Sequence, residues 1–466
     1  HHTPGTIDLE ISNPALLLNE IARRYETTER ILMEYVDNSL DDAEALYRQN
    51  GEAYPYPIEI ELTIDFTASA ITIQDNCRGM PRDVLERIVR SIGESNKRGQ
   101  AWVNGRFGFG VHAFRAAAET ISFQTRHAHS SFHRLSFHRD QLVGIKEAQR
   151  SDEAFPNAGG AGTIVTLGQI EREWMLGVSV ESVRQEIERH FERLLQRPGL
   201  TVQVRQAGQP PQRCRPFDYA ALPGTALQRE LALPYQEQRY PVQVDLVITH
   251  RPQPGRTASF FARGRRIAAL SEIKSFMRRS PAGAGLWGHP NLLGTIEVGE
   301  MIQPILNRDD FVRTRQRGVL YEALCELEGE IRQALQPLDR DERQSTLEQL
   351  QQTLQSALAA GSSPAARHSA PRVAFIEQNP DGARAELVDG ELRINLAHPD
   401  LRGRLSLNRQ GIPHLNDRLG AYLAGVLAAY AGAVDPGSAL PEHSAAQLDA
   451  FIQIEAALRQ GRGPAR

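Results

Sequence analysis

Glu34 and Asn38 stand four residues apart in Glu34-Tyr-Val-Asp37-Asn38-Ser-Leu-Asp41-Asp42-Ala. On a helix that spacing puts both on one face. The Asn38 amide oxygen is a neutral ligand suited to a hard cation that also carries phosphate oxygens. Glu34, one turn away, can hold a water as a general base. A second segment, Asp75-Asn-Cys77-Arg-Gly79-Met80, follows a strand-like run. An acidic residue there, before a tight glycine turn, can accept a hydrogen bond from the amino group of a base. The third is Ser95-Asn96-Lys97, followed by Gly105-Arg-Phe107-Gly108-Phe109-Gly110 just before Val111. Glycines let the backbone approach phosphates, and the start of the next helix presents N–H groups to anions. Lys97 is one of three lysines among 53 basic residues, which favours a phosphate contact. The loop lacks the Gly-Lys-Ser/Thr of a Walker motif and the βαβ unit of a dinucleotide fingerprint. The fourth segment, Gly162-Thr163-Ile-Val-Thr166, puts a hydroxyl at a strand start. Singly, each reads as a solvated helix face, a turn, a flexible loop or a strand start.

The elements that would carry these residues follow from periodicity. Leu16, Leu17, Ile21, Ile31, Leu32, Val36, Leu40 and Leu46 recur at three- and four-residue steps, so 14–50 reads as helical. Residues 58–64 alternate as a strand and 70–74 form a second. A helix is expected over 81–92 behind Pro81. Residues 91–110 read as a mobile loop, and a helix restarts at Val111. Strands are expected at 121–126, 131–138 and 162–167. Helix, strands, helix and more strands in this order predict an α+β sandwich with helices on one face of a mixed sheet.

Farther along, an amphipathic helix spans 179–195, strands 242–249 and 257–261, and a helix 318–335 that continues as a polar stretch over 339–359. The division expected is 1–190, 196–338, a helix and linker over 339–371, and a small C-terminal α/β module over 372–466. Within that module His398 and Asp400 lie near a strand end but lack partners at ligand spacing, and they read as structural.

Together the four segments resemble the nucleotide-binding boxes of the GHKL ATPase superfamily, which includes gyrase, Hsp90-type chaperones, histidine kinases, MutL and MORC proteins. The resemblance covers roughly residues 14–185. It implies the Bergerat fold, a left-handed-crossover α/β sandwich, and it implies ATP and Mg²⁺ as ligands. By it Glu34 polarises the attacking water, Asn38 is the Mg²⁺ ligand and Asp75 takes the adenine amino group. Gly79 and Met80 border the base, and Thr163 supports it. Lys97 with Gly105, Phe107, Gly108, Phe109, Gly110 and Val111 holds phosphates beneath a lid, and Asp41 is counted with the nucleotide site. One departure is Cys77, which stands where these proteins carry the first glycine of Asp-x-Gly-x-Gly. Nucleotide binding is expected to survive it, since Gly79 is kept.

Glu34 points away from histidine kinases, which lack that carboxylate. The stretch Phe260-Phe-Ala-Arg-Gly-Arg-Arg-Ile267, with the later Asn307-Arg308-Asp309-Asp310-Phe311, is similar to the S5-like transducer domain of GHKL clamps. By that resemblance Arg308 reaches the γ-phosphate. The MutL endonuclease signature is missing. The reading is an ATP-hydrolysing, ATP-gated homodimeric clamp, MORC-like, on nucleic acid in genome maintenance or defence. The alternative is an Hsp90-like chaperone or scaffold that remodels a protein partner.

Composition sets bounds on these readings. The 466 residues are 41% hydrophobic and 24% charged, enough for several packed cores, which excludes a wholly disordered chain. A net charge of -4 is not that of a generally basic nucleic-acid binder. The arginine-rich run Arg251–Arg279 is therefore the candidate nucleic-acid face. The C-terminal module is a second place for a protein partner. Cys77, Cys214 and Cys325 fit neither a disulfide framework nor a zinc site. With no run of 18 apolar residues, no membrane partner and a cytoplasmic location are expected.

Overall fold

The computed structural model describes residues 14–90, 110–128, 130–141, 145–151, 160–235, 238–299, 302–305, 310–361, 370–407 and 413–431, with residues 450, 453–454 and 457–458. The lid stretch 91–109 and residues 306–309 lie outside the described residues.

The chain groups into two compact units, and each is interrupted in sequence. The first comprises 1–247, 258–276 and 293–323. It opens with helices α1 (Pro14–Ala22) and α2 (Thr28–Gln49). Thr27 caps α2, its hydroxyl oxygen accepting the Arg30 N–H at 3.3 Å. Strands β1 (Ile58–Asp65) and β2 (Ala70–Asp75) and helix α3 (Arg82–Arg90) follow. A 3₁₀ turn spans Gly110–Ala116, where an α-helix was expected from Val111. Next come β3 (Ala118–Arg126), β4 (Phe132–His138), β5 (Gln149–Ser151) and β6 (Gly162–Ile170), then helices α4 (Arg172–Leu176) and α5 (Val180–His190), and strands β7 (Leu200–Gln206) and β8 (Gln212–Arg213). These eight strands make one sheet in the order β5-β4-β3-β6-β2-β1-β7-β8. Strands β1 and β7 run parallel; the other pairs are antiparallel.

The sheet works because its strands alternate. Ile58, Ile60, Leu62 and Ile64 of β1 are fully buried, as are Ile71 and Ile73 of β2. They join Ile31, Leu32, Tyr35, Val36 and Leu40 of α2 and Val183 and Ile187 of α5 in one core. Each such side chain contributes about 1.5–3 kcal/mol on burial. This is the expected α+β sandwich, and its sheet runs on to residue 213, past 196 where a boundary was expected.

The first unit also holds most of a second sheet. Its strands are β9 (Gly224–Tyr235), β10 (Gln238–Thr249), β11 (Ala258–Ala262), β12 (Arg265–Ala269) and β13 (Leu292–Val298), in the order β12-β11-β13-β10-β9.

The second unit comprises 248–257, 277–292 and 324–466. The helix Arg315–Gly361, which continues through Pro337, enters it. There Glu328 accepts hydrogen bonds from the Ser280 hydroxyl, the Ala282 N–H (3.1 Å) and the Trp287 indole (3.0 Å). A three-stranded sheet of β14 (Arg372–Ile376), β15 (Ala385–Val388) and β16 (Glu391–Asn395) packs with the helix Asp417–Ala431 around Leu354, Leu358, Ile394, Leu423 and Leu427. Among the described residues no helix is long and apolar enough to cross a membrane.

Candidate functional site

Helix α2 presents Glu34 half-buried and Asn38 exposed, while its neighbours Tyr35, Val36, Ser39 and Leu40 are buried. The 3₁₀ turn is seated directly on it. The Tyr35 hydroxyl donates to the Val111 carbonyl at 3.1 Å and accepts the Phe114 N–H at 3.0 Å. A methyl group at Gly110 would lie 2.6 Å from a Glu34 carboxylate oxygen, so a side chain there would push that carboxylate aside. Gly110, Val111 and Glu34 are thus together. Tyr25 joins them: burial first, then the Glu34 charge, push its phenol far above its usual range, so it stays a proton donor beside that carboxylate.

The second part of the site lies on the core face of the sheet. Asp75 follows Ile71 and Ile73 in phase and is 4% exposed. It accepts the Ser39 hydroxyl at 2.7 Å, the Cys77 N–H at 3.1 Å and the Thr163 N–H at 3.2 Å. Ser39 is the residue after Asn38, so this bond ties the Glu34/Asn38 helix to the Asp75 strand. Burial, reinforced by the like charge of Asp42, raises the Asp75 pKa from 3.8 to about 6. Thr163 pairs with Asp75 across β2 and β6 and with Thr125 across β3 and β6. The Thr125 hydroxyl lies 3.1 Å from that of Thr163 and accepts the Met80 N–H at 2.8 Å.

Gly79 has φ +72°, and a side chain there would collide with the Arg126 carbonyl oxygen. The turn therefore demands glycine at 79. Cys77 is not among the positive-φ residues; it is fully buried, with its thiol directed at the Ser39 carbonyl 3.7 Å away. That is why a side chain is accommodated at 77 and not at 79. Arg78 closes the turn against Asp42: its guanidinium approaches to 2.5 Å and its N–H donates at 2.9 Å.

Three participants were missed in the sequence. Ser39 sits inside the first motif, where its hydroxyl was a usable signal. Asp42 is one turn beyond Asn38. Thr125 occupies a core phase behind Ile121 and Phe123, and a polar residue in that phase was the available hint.

Two expectations need correction, and they concern partners of each other. Asp41 does not join this group: it is 2% exposed, and Arg265 of β12 donates to it at 2.7 Å. The same guanidinium donates to Asp37. Arg265 is 0% exposed, so it leaves the proposed basic face. Of that run, Arg251, Lys274, Arg278 and Arg279 are exposed, and they fall in different compact units. Lys97, Gly105, Phe107, Gly108, Phe109 and Arg308 lie outside the described residues. In the C-terminal module, His398 caps a helical turn by accepting the Asp400 N–H at 3.1 Å, and Asp400 pairs with Arg384 at 2.5 Å, as their structural reading requires.

The geometry can be compared with known proteins. Residues 25–154 match the family of histidine kinase-, DNA gyrase B- and HSP90-like ATPases. That segment contains Glu34, Asn38, Asp75, Gly79, Met80, Gly110 and Val111. Over 144 residues the chain is 26% identical to the chaperone protein HtpG of Streptomyces coelicolor, a match covering 27% of this chain and 23% of that relative. The chain thus spans about a quarter of the length of the curated relative it matches.

Proposed function

We propose that this chain, whose residues 25–154 form a domain of the GHKL ATPase superfamily, binds ATP with Mg²⁺, hydrolyses it, and uses the cycle to open and close a homodimer. The observation that carries this reading is the hydrogen bond from Ser39 to Asp75. It joins a helix bearing Glu34 and Asn38 to a buried carboxylate suited to an amino group.

The residues fit the ligand. Asp75 accepts the exocyclic amine of adenine, with Thr163 and Thr125 fixing the strand ends beside it. Asn38 would offer Mg²⁺ a neutral oxygen ligand, and the cation would supply charge neutralisation at the phosphates. Glu34 holds the attacking water and takes its proton, and Tyr25, kept protonated, steadies that carboxylate. Gly110 leaves room for Glu34 at the start of a turn whose N–H groups suit phosphate.

Arg308 is proposed as the γ-phosphate sensor. The residues that follow it are firmly held: Asp310 accepts the Ser275 hydroxyl at 2.5 Å and the Phe311 N–H at 2.7 Å, and Phe311 packs edge-on against Phe260 at 5.2 Å.

The match to a protein named a chaperone favours a protein client, engaged in part by the C-terminal module, for a cytoplasmic protein. A second reading, a clamp on nucleic acid in genome maintenance or defence, rests on exposed Arg251, Arg278 and Arg279, which belong to one compact unit. DNA binding that weakens steeply with salt would favour this second reading. The ATPase itself is tested by phosphate release. Release from ATP should require Mg²⁺ and vanish in Asn38→Ala; a wild-type protein that neither binds nor hydrolyses ATP would sink the reading.

A further inference from the structure

Helix α2 carries two polar rows. Residues four apart lie nearly in line along a helix, so Glu34 and Asn38 form one row and Asp37 and Asp41 an adjacent one, and the three-residue steps 34–37 and 38–41 make the two rows neighbours. At about 100° per residue, the two rows are about 60° apart around the helix. The second row is fixed from outside the helix. Arg265 donates from Nε to Asp37, from Nη2 to Asp41 at 2.7 Å, and from Nη1 to the Arg263 carbonyl at 3.0 Å. A rigid guanidinium that bridges two carboxylates one turn apart sets both the rotation and the height of the helix.

The hairpin that delivers Arg265 is itself seated. Its turn holds Arg263 at φ +54° and Gly264 at φ +76°. A side chain at Gly264 would meet Leu194 at 2.7 Å, and the Gly264 N–H donates to Glu297 at 3.2 Å.

We propose that Arg265 is a positioning residue for hydrolysis: by fixing the Asp37/Asp41 row it sets where Glu34 and Asn38 stand, and it lets the β11–β12 hairpin govern turnover. The proposal rests on the ATPase reading and adds a means of control to it. It also makes a prediction that a merely structural ion pair does not. Asp75 is held by Ser39 of α2 and by the Cys77 and Thr163 N–H groups, which lie off that helix. With two of these three holds off α2, the adenine end should shift much less than the water and cation end when Arg265 is altered.

The test uses the full chain carrying Arg265→Lys, which keeps the charge but cannot bridge both carboxylates with a planar fork. A second variant, Arg265→Met with Asp37→Asn and Asp41→Asn, leaves no buried charge unpaired. Thermal unfolding establishes that each folds. ADP affinity by calorimetry should stay within about threefold of wild type, while kcat falls roughly tenfold or more, the scale of a displaced catalytic group. Hydrogen exchange at amides 34–42 should quicken. A folded variant with wild-type kcat overturns the proposal. So does an equal loss of ADP and ATP affinity with kcat unchanged. Failure of both variants to fold assigns Arg265 to stability and overturns it too. If the wild-type chain hydrolyses no ATP, the ATPase reading fails separately; unchanged exchange over 34–42 in the variants then overturns the positioning role.

Discussion

Asp75 and the Asp37/Asp41 pair are buried carboxylates of the same unit, yet they are held in opposite ways. Asp75 is met by a hydroxyl and two backbone N–H groups, and the neighbouring charge that acts on it, Asp42, has the same sign. Asp37 and Asp41 are met by a guanidinium whose burial opposes its charge, but their own charges outweigh that and hold its pKa above the usual range. The first arrangement meets the carboxylate with hydrogen-bond donors, and under the proposed function it is the acceptor for the adenine amine. The second neutralises it and turns it into a joint. Burial of an acid therefore does not by itself mark a ligand site; the nature of its partner does.

The largest expected effect comes from the open row of α2. Glu34→Ala should lower ATP turnover by roughly 10²–10⁴, the usual worth of a general base, while an ATP analogue still binds. Phosphate release and calorimetry on the same protein check this, and wild-type turnover would remove Glu34 from the role. The closed row should respond in stability. Arg265→Met alone strands two buried carboxylates and should cost about 3–5 kcal/mol, read as a lower urea midpoint at unchanged slope. Glu34→Gln, at a half-buried position, should move that midpoint little. If Arg265→Met were as stable as wild type, the joint would be an ornament of the fold.

Asp75 separates from the joint by pH. Its folded pKa of about 6 lies above its ordinary 3.8, so the folded chain holds this proton more tightly than the unfolded one. The Asp75 contribution to stability is therefore full below about pH 4 and is lost as pH rises through about 6. Nucleotide binding should run the other way, because accepting the adenine amine needs the ionised form. Affinity should weaken about tenfold from pH 7 to 5, and Asp75→Asn should flatten the profile. A wild-type profile as flat as the variant's would detach Asp75 from the base.

How much of this the sequence could say depended on the distance over which each residue acts. Glu34 and Asn38 were legible because four-residue spacing is a local property of a helix. Gly79 was legible because a tight turn after a strand needs a residue that tolerates positive φ. Strand β1 showed itself by alternation at Ile58, Ile60, Leu62 and Ile64. Strand β13 went unread because all its residues from Leu292 to Thr295 are buried and Gly294, at φ +131°, breaks the pattern; its glycine is needed where the backbone meets the Asp245 carbonyl. The Thr125–Met80 contact depends on the register of β3 against β6. Arg265 meets Asp37 across 228 residues, and no local pattern distinguishes it from Arg263 or Arg266. The expectation of a surface arginine and of a ligand-binding Asp41 failed together, for that single reason.

The smallest expected effect isolates what burial contributes. Arg87 and Asp83 of α3 form an ion pair at 2.8 Å, nearly the 2.7 Å of Arg265 and Asp41. The side chains of the first pair are 46% and 70% exposed; those of the second are 1% exposed each. Distance is therefore almost constant across the two pairs, and solvent is the variable. In water the attraction is screened, and holding two long side chains in register costs conformational entropy. Asp83→Ala should thus change stability by about 0.3–0.5 kcal/mol, shrinking further in high salt. Asp41→Ala leaves Arg265 buried with one of its two carboxylates, and solvent cannot screen the loss. Its cost should be several times larger and nearly independent of salt. Urea unfolding of both variants at low and high salt makes the measurement. If the two losses were equal, or fell together with salt, the Asp41–Arg265 contact would behave as a surface pair, and the contrast between joint and ligand site would have to be drawn on other grounds.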